Sequence, residues 1–387
     1  MTTPIYLDYA AATPIDDTAL RVAQPYFQAQ FYNPSALYEP AREVRRAIEG
    51  ARGSVADVLG ARDQEIVFTA GGTEANNLAI HGVMQANPGS HMIVSAIEHE
   101  SVLQPTMQYD YSLAPVNEKG IVDIDAIEAL IRPSTALISV MYANNEIGTV
   151  QPIKRLTELV NSVKTQRLKS GNKMPLYIHT DACQAANYLD LQVTRLGVDM
   201  MTLNGGKIYA FKQSGCLYIR KNVKIDPFIT GGGQESGMRS GTENVAGLIS
   251  FATMLQKVQK TKNAEVKRLS ELSKSLSATL SQKVDGISLN GDAKKRLPNN
   301  VNISIAGVDG ERLVLELDER GIMLATGSAC TASNDEPSHV LRAIGLSDEQ
   351  ASGSLRITLG RHTTPEQIAQ ATDQIAGAIQ NVRLLVQ

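Results

Sequence analysis

From Glu65 onward, short apolar runs rich in β-branched residues alternate with stretches of helical period, and that alternation restricts the chain to few architectures. The runs are Ile66-Val67-Phe68, Met92-Ile93-Val94, Ala136 to Val140, Leu176-Tyr177-Ile178, Met200 to Leu203 and Cys216 to Ile219. The pattern predicts an α/β fold, a mostly parallel sheet covered by helices. In such a sheet ligands bind beyond the carboxyl ends of the strands. Gly71-Gly72-Thr73, His99, Asn145, Asp181 and Lys207 each follow a run, so the sequence places them at one cleft.

A chain of 387 residues is longer than one core can fill, and the pattern changes after about Phe251. A polar helix from Ala264 to Val284 is expected, then a strand at Val301–Ile305, a helix near Glu311 to Arg320, a strand at Leu355-Arg356-Ile357 and a closing helix from Pro365. The division is a large domain over 14–255 and a smaller α+β domain made of 1–13 with 256–387. The basic stretch Lys164 to Lys173 reads as a surface loop inserted before the Asp181 strand. A formal net charge of −3 without a long basic run argues against nucleic acid as a partner. No apolar stretch reaches membrane-span length, and Met1-Thr2-Thr3-Pro4 leads straight into strand-like Ile5-Tyr6-Leu7, so a cytoplasmic protein is expected.

Lys207, in Asn204-Gly205-Gly206-Lys207, and Asp181 together suit pyridoxal 5'-phosphate (PLP). That coenzyme needs an amine to hold it as a Schiff base and a carboxylate to keep its ring nitrogen protonated. Gly71-Gly72-Thr73 opens a helical pattern, where free amides and the helix dipole favour a phosphate; an ordinary turn and N-cap is the plainer reading. His99 can stack on a ring and move protons near neutral pH, or simply cap a helix. Asn145 offers an amide for a phenolate or carboxylate, and Arg356 is a charge inside a strand pattern, either a carboxylate fork or an edge residue. The three cysteines are too few for a disulfide framework and lack metal-ligand spacing. Cys183 and Cys216 read as buried small hydrophobes. Cys330, in the small polar segment Gly327-Ser328-Ala329-Cys330-Thr331, reads as an exposed thiol, a nucleophile or an incidental one.

Taken together the motifs resemble the cysteine desulfurases of the NifS/IscS type, class V aminotransferases of fold type I. The resemblance covers nearly the whole chain: Tyr6 to Pro14, Asn33-Pro34-Ser35, Gly71 to Glu74, Glu98-His99, Asn144 to Gly148, Asp181 with Gln184, Lys207, Gly231 to Asn244, Gly327 to Thr331 and Glu336 to Arg342. It implies a seven-stranded, mostly parallel sheet and PLP as cofactor. It further implies that Lys207 is the Schiff-base lysine, Asp181 pairs with the pyridine nitrogen, Gln184 with the phenolic oxygen, and His99 stacks on the ring. Gly72 and Thr73 hold the phosphate, and Thr242 reaches the phosphate of a neighbouring subunit in a homodimer. Asn33, Asn145 and Arg356 hold the substrate L-cysteine, whose sulfur passes to Cys330 as a persulfide and then to an acceptor protein for iron-sulfur assembly or tRNA thiolation. The alternatives are a selenocysteine lyase or related PLP lyase, or a weakened sulfur-carrier homologue. This chain departs from the pattern where Asn204 and Gly206 stand in the places of a Ser and a His, altering two expected phosphate-side donors.

Overall fold

The structure is a computed structural model in which residues 4–327 and 337–384 are described. Its strands are β1 (Ile5–Tyr6), β2 (Ile66–Thr69), β3 (His91–Ser95), β4 (Asp110–Ala114), β5 (Thr135–Ser139), β6 (Tyr177–Asp181), β7 (Met200–Asn204), β8 (Gly215–Ile219), β9 (Ile287–Leu289), β10 (Asn300–Ile305), β11 (Ile322–Met323) and β12 (Ser354–Thr358). Seven of them form one sheet in the order β2-β8-β7-β6-β5-β3-β4. Strands β7, β6, β5, β3 and β4 are parallel neighbours, and β8 runs antiparallel to both β7 and β2.

Both faces of this sheet are covered, and the two-residue period of the strands divides its side chains between them. Phe68, Ile93, Ile138, Ile178 and Met201 enter a core with Phe251 and Leu255. Their strand neighbours Val67, Met92, Leu137 and Met200 enter the opposite core with Leu78, Ile80 and Val83 of the helix Gly72–Ala86. A further core lies under the three-stranded sheet β12-β10-β9, where Leu269, Leu276 and Leu280 meet Ile303, Leu355, Ile357, Ile375 and Ile379. Ile5 and Leu7 belong to that core, and β1 pairs with β11, so the N-terminus is built into the C-terminal half.

Three expectations change. The helix expected from Ala264 starts at Val245 and runs to Lys283, with the Asn244 side chain accepting the Gly247 N–H at 3.1 Å as its cap. One continuous helix therefore supplies Phe251 to the first core and Leu269 to the C-terminal one. Most of the Lys164–Lys173 stretch is not a loop: the helix Ile153–Ser170 takes in Lys164 to Ser170 and is capped at Gly171 with φ 76°, leaving only the last residues irregular. Leu156, Val160, Val163 and Arg167 share its buried face, and the Arg167 guanidinium is consumed by the carbonyls of Thr135, Met174, Pro175 and Arg132. Strand β4 adds an edge that the apolar pattern does not display, since four of its five residues are not buried.

Candidate active site

Beyond the carboxyl ends of β5, β6 and β7 lies a cavity of about 120 Å³ that opens into a wider cleft of about 700 Å³. Gly72, Thr73, His99, Asn145, Asp181, Gln184, Asn204, Lys207 and Arg356 all line the cavity. Asn33 and Thr242 are exposed and do not line it; the Asn33 carboxamide oxygen accepts the Ser35 N–H in a local turn. Cys330 lies outside the described residues.

Asp181 ends β6 with both carboxylate oxygens held. Oδ1 accepts the Cys183 N–H at 2.9 Å, and Oδ2 accepts from Asn76 Nδ2 at 2.8 Å. Lys207 follows β7, and its Nζ donates to the carbonyls of Ala10 at 2.9 Å and Ala11 at 2.6 Å. Gln184 Nε2 donates to the same Ala10 carbonyl at 3.0 Å, so the N-terminal segment is one wall of the site. His99 caps the helix Glu100–Thr106 through Nδ1, the plainer of its two sequence readings, and also lines the cavity. Burial, with a smaller push from Lys207, holds its pKa below the usual histidine value against the pull of Asp181. Arg356 is 2% exposed, pairs with Asp8 at 2.7 Å, and has no hydrogen-bond partner at Nε among the described residues. A buried guanidinium with an unused donor suits a carboxylate ligand.

The other end of the cavity is built for an anion. The helix Gly72–Ala86 points its N-terminus there, and a Cβ at Gly72 would stand 2.8 Å from Cys183 Sγ, so only glycine lets the backbone sit this close. Asn204 uses Oδ1 to accept the Gly206 N–H at 3.0 Å, which turns Nδ2 toward Gly72. Gly206 borders the wider cleft beside Lys212, a cation that composition alone did not single out. An amine, a carboxylate at one end and a helix N-terminus with an amide donor at the other form a donor set that fits PLP. Asn76, Ser101, Cys183 and the Ala10 and Ala11 carbonyls also shape the site and escaped the sequence reading. The only available signal was that Asn76 lies one helical turn beyond Gly72 and Ser101 two residues after His99.

Known proteins resemble this chain over nearly its whole length. The family profile described as Aminotransferase class-V matches residues 5–370. The chain is 41% identical to cysteine desulfurase IscS of Dictyoglomus turgidum, covering 98% of this chain and 96% of that protein. It is 38% identical to cysteine desulfurase IscS 1 of Archaeoglobus fulgidus, covering 98% and 97%. Among solved structures, a NifS-like protein superposes with a TM-score of 0.89 at 29% identity over 98% of this chain and all of the other. The NifS-like protein of Rickettsia africae gives 0.85 at 27%, over 98% and 99%. The chain thus belongs to the class-V aminotransferase family and, within it, to the cysteine desulfurases of the IscS and NifS type. It is a PLP-dependent enzyme.

Proposed function

We propose that this cavity removes sulfur from L-cysteine, giving L-alanine and a persulfide on Cys330 that passes to an acceptor protein in the cytoplasm, for iron-sulfur assembly or tRNA thiolation. The observation that carries the reading is the convergence of Lys207, Asp181, His99, Asn145 and Arg356 on one cavity from five separate parts of the chain. PLP bound there supplies an electron sink for the substrate Cα. Lys207 Nζ takes the Cα proton, and Asp181 holds the proton of the ring nitrogen. Arg356 and Asn145 orient the substrate carboxylate, and His99 Nε2 moves protons beside the ring. The Cys330 thiolate forms a bond to the substrate sulfur as the carbon–sulfur bond breaks, and that bond's electron pair stays with the three-carbon product, which takes up a proton and leaves as alanine. Burial raises the thiol pKa of both Cys183 and Cys216, keeping these two protonated and unsuited to attack.

The enzyme acts in this reading as a homodimer. Phe27, Phe31, Leu37 and Tyr38 are all more than half exposed, and Phe27 packs on Phe211, the neighbour of the cleft residue Lys212. In this reading a second copy covers this aromatic patch and supplies its own Thr242, which is exposed in the single chain, to the phosphate end. The test is to incubate the PLP-loaded protein with L-cysteine and an excess of a dithiol, which reduces the Cys330 persulfide and releases its outer sulfur as sulfide, and to assay alanine and sulfide together, with the sedimentation mass measured on the same protein. Equimolar products are expected from a particle of two chains. Cys330→Ala should keep PLP and lose sulfide release, and Lys207→Ala should lose turnover. Normal turnover in either variant would refute its assigned role, and a one-chain mass would refute the dimer.

A further inference from the structure

A continuous hydrogen-bond path runs behind the cavity from Asp181 to His99, and its central member has no part in the roles assigned above. Asn76 is fully buried in the first turns of the helix Gly72–Ala86. Its Nδ2 donates to Asp181 Oδ2 at 2.8 Å and to Ser101 Oγ at 2.8 Å. The amide orientation follows from its neighbours, because turning it over would set a carbonyl oxygen against the Asp181 carboxylate. Asn76 Oδ1 is left buried without a partner among the described residues, a cost that an apolar residue of similar size would not carry.

The next link fixes a proton. Ser101 Oγ accepts from Asn76, so its hydroxyl hydrogen is directed elsewhere, and His99 Nδ1 stands 2.8 Å away. The Ser101 backbone N–H, which can only donate, also reaches Nδ1 at 3.0 Å. Nδ1 is therefore an acceptor, and the neutral ring carries its proton on Nε2. We propose that Asn76 is a positioning residue for the reaction, tying the Asp181 carboxylate to the His99 ring through Ser101 and holding that ring with its proton on Nε2. The same contacts fix the plane of the Asp181 carboxylate, which in the proposed function would hold the proton of the cofactor's ring nitrogen. This inference rests on the desulfurase reading for the use made of the proton, but not for the tautomer itself.

Protonation of His99 at Nδ1 would require Ser101 to give up both donors, so the path opposes the imidazolium form. Among the described residues the charged groups that act on the ring include Asp181, Lys207, Glu100 and Glu146; the three carboxylates favour the imidazolium and Lys207 disfavours it. The experiment is a pH titration of the full-length protein labelled with ¹⁵N-histidine, without and with PLP, using His99→Gln to identify the resonance. The wild type should show an Nε2–H ring with a pKa below the ordinary value of 6.5. Asn76→Ala and Ser101→Ala should each raise that pKa by about one unit, and Ser101→Thr, which keeps the hydroxyl, should restore it. Both alanine variants should lower kcat for sulfide release more than they change KM for cysteine. A purely structural pair would lower the unfolding midpoint and leave the ring pKa where it was. An Nδ1–H ring in the wild type, or an unmoved pKa in either alanine variant, overturns the proposal. Should Asn76→Ala not fold, Ser101→Ala retains the backbone N–H cap and carries the test alone. The titration needs no turnover, so a protein that releases no sulfide would sink the desulfurase reading while leaving this result standing.

Discussion

Asn204 stands where the family pattern that the sequence resembles has a Ser, and the geometry shows how its side chain is used. Its carboxamide is divided: the oxygen caps the turn that carries Lys207, and the nitrogen lies against the N-terminus of the helix Gly72–Ala86. A hydroxyl in that place could serve the same two neighbours from a shorter stem. A hydrogen bond to a charged group contributes about 1.5–3 kcal/mol, so Asn204→Ala is expected to raise the PLP dissociation constant roughly tenfold or more. Asn204→Ser should stay near the wild type. Titration of the PLP-free protein by absorbance reads this directly, and equal affinities for the alanine variant and the wild type would remove Asn204 from the phosphate cradle. Lys207, Asp181 and Arg356 were legible in the sequence because each is a charge set against apolar strand residues. Asn76 and Ser101 were not, since a polar residue inside a helical pattern reads as surface until the fold buries it.

The strands and helices were legible to the extent that one face of each is apolar. Strand β4 failed that test because it is an exposed edge, and the start of the long helix was hidden because its first turns, between Val245 and Phe251, have no polar face to mark a period. Contacts between distant loops leave no trace in any local pattern, and the stems of the Cys330 segment are the consequential case. Ala325 pairs with the backbone of Arg356 on one side. On the other side Ser338 Oγ donates to the buried Glu146 carboxylate at 2.5 Å and accepts the Leu341 N–H at 3.2 Å. Gly327 lies against both Glu146 and Ser338, so the two ends of the segment meet over one carboxylate next to Asn145. Ser338→Ala removes a helix cap and leaves a buried oxygen unpartnered. Because small displacements of a reacting group are costly, kcat for sulfide release should fall roughly ten- to a hundredfold while PLP affinity stays unchanged. An unchanged kcat, or a loss matched by lost cofactor, would separate Ser338 from the placement of the thiol.

The molecule is held together around its active site by groups that belong to neither core alone. Ile5 and Leu7 sit in the C-terminal core, yet within a few residues the same segment presents the Ala10 and Ala11 carbonyls to Lys207. Asp16 then pairs with Lys257 of the long helix and with Arg361 beyond β12. Glu98 is the buried counterpart of these ties: its backbone carbonyl accepts from His339 Nε2 at 2.9 Å, while its Oε1 takes the Ser95 hydroxyl and the Met141 N–H, each at 2.7 Å. Oε2 has no partner among the described residues, and a neutral carboxyl there costs less than an unpaired charge. Burial, reinforced by the nearby Asp181 charge, pushes the Glu98 pKa from its ordinary 4.5 up to about 8. The sign follows from proton counting. Between these two values the folded chain keeps a proton that the unfolded chain has released, so this group's contribution to stability is complete below pH 4.5 and is lost as pH rises toward 8. Inside the window the slope approaches about 1.4 kcal/mol per pH unit. Glu98→Gln keeps the shape and has no proton to lose, so its stability relative to the wild type should climb steadily as pH is raised. Urea unfolding of both proteins at one fixed concentration, from pH 5 to pH 8, measures the difference. Parallel stability curves across that range would mean that Glu98 is already ionised in the folded protein, and that its second oxygen is held by a donor that these contacts do not include.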